Sequence, residues 1–329
     1  MRHHQGLRKN LTMTSDQNAG MSSITQRSVV CVVLWITLTQ ILCAEQPPSI
    51  GRFHHSAATS SPLVKDVAFH SPALNREMKY RIYLPHTYAG SSRRYPVLYL
   101  LHGLYGNYEN WDTLTQLATY VSGVDWIIVM PDADDSWYTN SATVPQDKFE
   151  DYIAKDLIAE IDGKYRTIRD RHARAIAGLS MGGYGALKFA LKYPQSYAFA
   201  GSLSGALDAA RDLDSRAPEF RARLVEVFGS PDNPARAEND IFLLLQKATA
   251  AQLPYLYLAC ATEDRFLPVN RDFVAELSER HLHYEYHETP GTHEWAYWDH
   301  AVGAMLSAME LKMGSESGRT RPATDSRSR

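Results

Sequence analysis

The stretch Gly178-Leu179-Ser180-Met181-Gly182-Gly183 decides how this chain is read. An apolar run, Ala175-Ile176-Ala177, precedes it. Tyr184-Gly185-Ala186-Leu187-Lys188-Phe189-Ala190-Leu191 follows, with the composition of a helix. A serine on a tight turn between strand and helix needs neighbours without bulk, and Gly178 and Gly182 supply the room. Such a turn lifts the hydroxyl to the end of a sheet. There the free N–H groups and dipole of a helix start favour developing negative charge. The plain alternative for Ser180 is an ordinary helix N-cap. The flanking glycines and the partners downstream argue against it.

Those partners stand in a definite order. Tyr255-Leu256-Tyr257-Leu258-Ala259-Cys260 is an apolar strand, and Glu263 and Asp264 come just past its end. His293 follows in the loop Pro290-Gly291-Thr292-His293-Glu294-Trp295. Serine, acid, histidine is the chain order of α/β-hydrolases, and other serine-hydrolase architectures use other orders. Asp264 is preferred as the acid for its place in the turn after the strand, with Glu263 as its competitor. The chain has thirteen histidines. Loop position and order favour His293 over His281, His283, His287 and His300. His102 is expected to order its loop rather than to do chemistry.

A serine hydroxyl is a poor nucleophile until a base takes its proton. His293 is the candidate base. Asp264 would hold the imidazole in the useful tautomer and stabilise the imidazolium. The tetrahedral intermediate needs two N–H donors. Met181, after the nucleophile, is one candidate. The other belongs to the loop His102-Gly103-Leu104-Tyr105-Gly106, with Leu104 first and Gly103 next. Asp132-Ala133-Asp134-Asp135-Ser136-Trp137-Tyr138 follows another apolar strand and should reach the same end of the sheet. Trp137 and Tyr138 are candidates for a substrate pocket, or ordinary packing. The three carboxylates there have no paired His or Cys at zinc spacing beside them, so neither metal nor cofactor is expected.

Strand-like and helix-like segments alternate around these motifs. Strands are expected at 78–84, 97–101, 126–130, 175–177, 197–203, 255–260 and 284–287. The continuously apolar runs suit parallel strands covered on both faces. Helices are expected at 149–165, 187–191, 273–277 and 301–311. This alternation predicts an α/β domain with a mainly parallel sheet flanked by helices on both faces, and a site beyond the carboxyl ends of its strands. An insertion at 209–250 is charged and carries Pro218, Pro231 and Pro234, with a short helix expected at 240–245. It is a candidate cap or sheet cover.

The domain so outlined covers residues 63–313 of 329. Before it, Arg27 and the apolar run 29–42 read as a secretion signal ending near residue 44, too short to span a bilayer comfortably. Met13 and Met21 are alternative starts. An uncleaved anchor and a lipoprotein signal at Cys43 are the competing readings, and a membrane is a partner only under these. Residues 45–62 read as a linker and 314–329 as a disordered tail. With Cys31 and Cys43 in the signal, Cys260 alone remains among the three cysteines, as an inert buried thiol. A secreted or periplasmic location follows. The formal net charge of -3 gives no reason to expect nucleic acid as a partner.

Five segments together resemble one esterase family of α/β-hydrolases. They are 96–110 (PVLYLLHGLYGNYEN), 130–140 (MPDADDSWYTN), 177–187 (AGLSMGGYGAL), 260–267 (CATEDRFL) and 291–295 (GTHEW). The family includes S-formylglutathione hydrolases, tributyrin, acetyl, feruloyl and enterochelin esterases, and mycolyltransferases. The resemblance implies Ser180, Asp264 and His293 as a triad, with Leu104 and Met181 as oxyanion donors. Its motifs are specific for catalytic class and poor for substrate. The leading expectation is a secreted serine carboxylesterase for short acyl or aryl esters, small or linked to polysaccharide. The rivals are an acyltransferase of the mycolyltransferase type and a non-catalytic binding module.

Overall fold

The computed structural model describes residues 63–211, 213 and 216–317. The expected signal segment, the linker and residues 318–329 of the expected tail lie outside them. Eight strands form one sheet in the order β1-β2-β4-β3-β5-β6-β7-β8. They are β1 (Leu63–Ser71), β2 (Arg76–Leu84), β3 (Val97–Leu101), β4 (Ile127–Pro131), β5 (Arg174–Leu179), β6 (Phe199–Leu203), β7 (Tyr255–Ala261) and β8 (Tyr284–Thr289). β1 and β2 run antiparallel to their neighbours, and β4 through β8 are parallel along the sheet.

Every residue of β3, β4 and β6 is buried. Alternate side chains explain why. Val97, Tyr99, Leu101, Ile127, Val129 and Ile176 join one core, which also holds Leu187 and Phe189 of the helix Met181–Lys192. Leu98, Leu100, Ile128, Met130, Ala175 and Ala177 join a second, with Val302, Met305 and Met309 of the helix Trp295–Ser317. Helices thus cover both faces, and this double burial requires runs without polar alternation.

Among the elements that were not foreseen, two bear on the site and its sheet. β1 alternates Val67 and Phe69, both partly buried, with charged or exposed neighbours, and it forms an edge. β2 is therefore an inner strand, between β1 and β4. Within the insertion, Pro218–Phe228 is a helix with proline in its first turn, where a missing N–H costs little. The expected short helix is present as Ile241–Lys247, with Asp240 accepting from Phe242 N–H at 2.9 Å. The last helix continues four residues past Met313, to Ser317.

Candidate active site

Each carboxyl end of β3 through β8 leads into a segment at one rim of the sheet. Ser180 follows β5 with φ 52° and ψ −114°, left-handed for a residue that bears a Cβ. The turn is held by main-chain bonds. Ser180 N–H donates to Leu203 C=O at 2.9 Å, and Ala206 N–H donates to Ser180 C=O at 3.1 Å. Its glycines are required by contact rather than by φ. A Cβ on Gly182 would lie 2.5 Å from Leu101 O and 2.6 Å from His102 O. One on Gly178 would lie 2.5 Å from the Gly182 carbonyl carbon.

The structure brings Ser180, His293 and Asp264 into one hydrogen-bonded row. His293 Nε2 lies 3.0 Å from Ser180 Oγ, and His293 Nδ1 lies 2.8 Å from Asp264 Oδ2. These are the distances a nucleophile, base and orienting acid need. Asp264 Oδ1 accepts from Phe266 N–H at 2.8 Å, which fixes the carboxylate. Burial disfavours its charge. The hydrogen bonds from His293 and Phe266 N–H more than offset that, and they hold the Asp264 carboxyl below its usual range. Phe266 and Trp298 pack edge-on against the imidazole, with ring centroids 5.1 and 4.8 Å away. Glu263, the competing acid, is exposed one residue away. His287 pairs with Glu285 at 2.7 Å and is not part of this row.

Met181 opens the helix, so its N–H is among the donors that have no intrahelical acceptor. Leu104 and Ser180 line the same cavity of about 350 Å³. Trp137, Phe220, Leu224 and Phe266 make most of its apolar wall, and Arg216 and Arg265 are its cations. Phe220 and Leu224 come from the unforeseen Pro218–Phe228 helix, so part of the insertion walls the site. Only proline placement at 218, with apolar residues at 220, 224, 225 and 228, pointed to that helix.

Of the two aromatic candidates, Trp137 lines the cavity and Tyr138 does not. Tyr138 is fully buried, and its hydroxyl donates to His102 C=O at 2.8 Å. Adjacent side chains in this segment point apart, so one residue builds the wall and the next braces the fold. His102 is buried and neutral in its bonding pattern. Nδ1 faces Gly103 O at 2.7 Å, leaving Nε2 to accept Ala133 N–H at 3.0 Å. Burial pushes its pKa down. The three nearby carboxylates are engaged separately. Asp134 pairs with Arg76 at 2.6 Å, Asp135 accepts from Tyr105 N–H at 2.6 Å, and Asp132 lies 3.8 Å from His102. Cys260 is buried, and burial pushes its thiol up to about 12.

Residues 71–309 match the family described as "Putative esterase". An esterase of Mycobacterium tuberculosis, Rv1288, is 32% identical over 251 residues, covering 68% of this chain and 54% of its own length. This chain therefore spans about half of that relative. An acetyl esterase of Caldicellulosiruptor saccharolyticus is 27% identical, covering 63% of this chain and 80% of its own length. Among solved structures, the Staphylococcus aureus fluorophosphonate-binding serine hydrolase FphF superposes with a TM-score of 0.69 at 28% identity. That match covers 76% of this chain and 99% of FphF.

Proposed function

We propose that this chain, which belongs to the Esterase family and has its α/β-hydrolase fold, is a serine carboxylesterase for short acyl or aryl esters. The observation that carries the reading is the row Asp264–His293–Ser180, with contacts of 2.8 and 3.0 Å at the wall of a cavity.

In the first step His293 Nε2 takes the Ser180 proton as Oγ attacks the ester carbonyl carbon. The carbonyl oxygen gains the negative charge, which Met181 N–H and Leu104 N–H stabilise. Collapse breaks the bond to the alcohol oxygen, and that oxygen leaves with the proton from His293. Water then repeats the sequence on the acyl-enzyme, giving a proton to His293 and releasing the carboxylic acid. Ser180 regains its hydrogen. Asp264 stays ionised throughout and stabilises the imidazolium. The apolar and aromatic lining and a volume of about 350 Å³ support a small acyl or aryl group, free or linked to polysaccharide. The apolar run 29–42 after Arg27 supports export.

The test is hydrolysis of p-nitrophenyl acetate together with fluorophosphonate labelling. Wild-type protein should do both. Ser180→Ala should lose labelling and, by analogy with nucleophile removal elsewhere, about a millionfold in kcat. Turnover retained by that variant would remove Ser180 from the mechanism. Asp264→Asn should cost far more turnover than Glu263→Gln.

A further inference from the structure

The loop after β3 carries a conformational oddity beside Leu104. Gly106 N–H donates to Gly103 C=O at 3.0 Å, which closes a four-residue turn with Leu104 and Tyr105 at its centre. Tyr105 has φ 61°, whereas Leu104 is not among the residues with positive φ. This is the pattern of a type II turn, whose third position normally needs glycine. A bulky residue there costs about 1–2 kcal/mol. Tyr105 gains little burial in return, because the residue is 73% exposed. The compensating contact is main-chain: Tyr105 N–H donates to Asp135 Oδ1 at 2.6 Å. A hydrogen bond to an ionised acceptor is among the strong ones. Type I and type II turns differ by a flip of the central peptide, here Leu104–Tyr105. The Asp135 bond holds the N–H of that peptide, so it selects between the two.

We propose that Asp135 is a positioning residue. By clasping Tyr105 N–H it ties the Gly103–Gly106 turn to the loop after β4, and so keeps the adjoining peptide, which carries Leu104 N–H, in its place at the cavity beside Ser180. Asp135 does not touch substrate. The charged group facing it is Arg223 of the Pro218–Phe228 helix, 3.9 Å from its other oxygen, and His102 holds the neighbouring Ala133 N–H. Both side chains of the clasp and brace, Asp135 and His102, thus join the two loops from opposite directions. The inference rests on the esterase reading, in which Leu104 N–H is an oxyanion donor.

The experiment compares Asp135→Ala and Asp135→Asn in the full chain, with p-nitrophenyl acetate and butyrate and with fluorophosphonate labelling rates. Asp135→Asn keeps an oxygen able to accept from Tyr105 N–H. Loss of one oxyanion donor lowers kcat by roughly a hundred- to a thousandfold, and a loosened donor less. Asp135→Ala should therefore lose about tenfold to a hundredfold in kcat on both esters, with KM changed less than twofold. Its labelling rate should fall in step. Asp135→Asn should recover kcat to within about threefold, with Arg223→Ala also near wild type. Thermal unfolding midpoints identify any variant that fails to fold, and Asp135→Asn still decides the matter if Asp135→Ala is such a variant. Kcat unchanged in Asp135→Ala, a loss confined to KM, or an equal loss in Asp135→Asn would overturn the proposal. A wild type inert to every ester and to the fluorophosphonate would instead defeat the esterase reading itself.

Discussion

Two of the segments at the rim of the sheet that hold non-glycine residues in left-handed backbone are held in opposite ways. At Ser180 the restraint is main-chain. Glycines at 178 and 182 let backbones touch, and peptide groups of Leu203 and Ala206 close the turn. In the 132–139 segment Asp134, Trp137 and Tyr138 have φ of 46°, 54° and 55°, and side chains from distant elements restrain it. Lys188 Nζ, fully buried, donates to Tyr138 C=O at 2.6 Å, Thr139 Oγ1 at 2.8 Å and Glu150 Oε2 at 2.9 Å. Glu150 is also paired with Lys192 at 2.6 Å and accepts from Tyr193 hydroxyl at 2.7 Å. Ser180 is placed by backbone packed on backbone, that of Leu101, His102, Leu203 and Ala206. The cavity wall at Trp137 is placed by a buried charge some fifty residues away, since Lys188 and Tyr138 are 50 apart.

Lys188→Met should sharpen this contrast most. Breaking a buried pair by removing one partner costs about 3–5 kcal/mol, seen as a lowered midpoint in denaturant. The folded fraction should still be labelled at Ser180, with KM raised as the Trp137 wall loosens. Gly182→Ala should do the reverse. Its new Cβ meets two carbonyl oxygens, for a loss of about 1–3 kcal/mol and abolished labelling even where the protein is folded. Labelling lost equally in both folded variants would break the comparison.

Acid titration offers a subtler test. Burial disfavours the Glu150 charge, yet the Lys188 and Lys192 ammonium groups overcome this and hold its carboxyl down at about 2. A carboxyl depressed in the folded state contributes its stability above its unfolded pKa, ~4.3, and loses it as pH falls further. Wild-type stability should therefore drop between about pH 4 and pH 2. Glu150→Gln, already weaker at neutral pH, should show a flatter profile across that window. An identical slope in both would place the acid sensitivity elsewhere. The smallest effect belongs to Arg76→Ala. The Arg76–Asp134 pair joins the same segment but is 45% and 54% exposed, so its loss should change stability by less than about 1 kcal/mol. A larger change would mean that the segment depends on its surface as well as on Lys188.

Much of this was legible beforehand because it is local. The parallel strands announce themselves by apolar runs that only double burial explains. Gly178, Ser180 and Gly182 announce a tight turn within five residues of sequence, although the backbone that Gly182 must clear is that of Leu101 and His102. Asp264 and His293 were readable from strand ends and order, and the structure seats them 2.8 Å apart. Strand β1 and the Pro218–Phe228 helix were not legible. The first buries only a few alternate side chains at an edge, and the second is amphipathic only against a cavity that does not exist until the sheet forms.

By itself, then, the sequence determined the layered α/β class, the elbow and the residues that could meet there, because periodicity and steric demand are written in adjacent residues. Only the tertiary structure decided that Trp137 faces the cavity while Tyr138 turns inward, that Lys188 is a buried brace, and that Asp135 reaches Tyr105 N–H. Those outcomes depend on which strangers in sequence become neighbours once both faces of the sheet are covered. Neither a charge's desolvation nor an N–H group's choice of acceptor exists before that packing does.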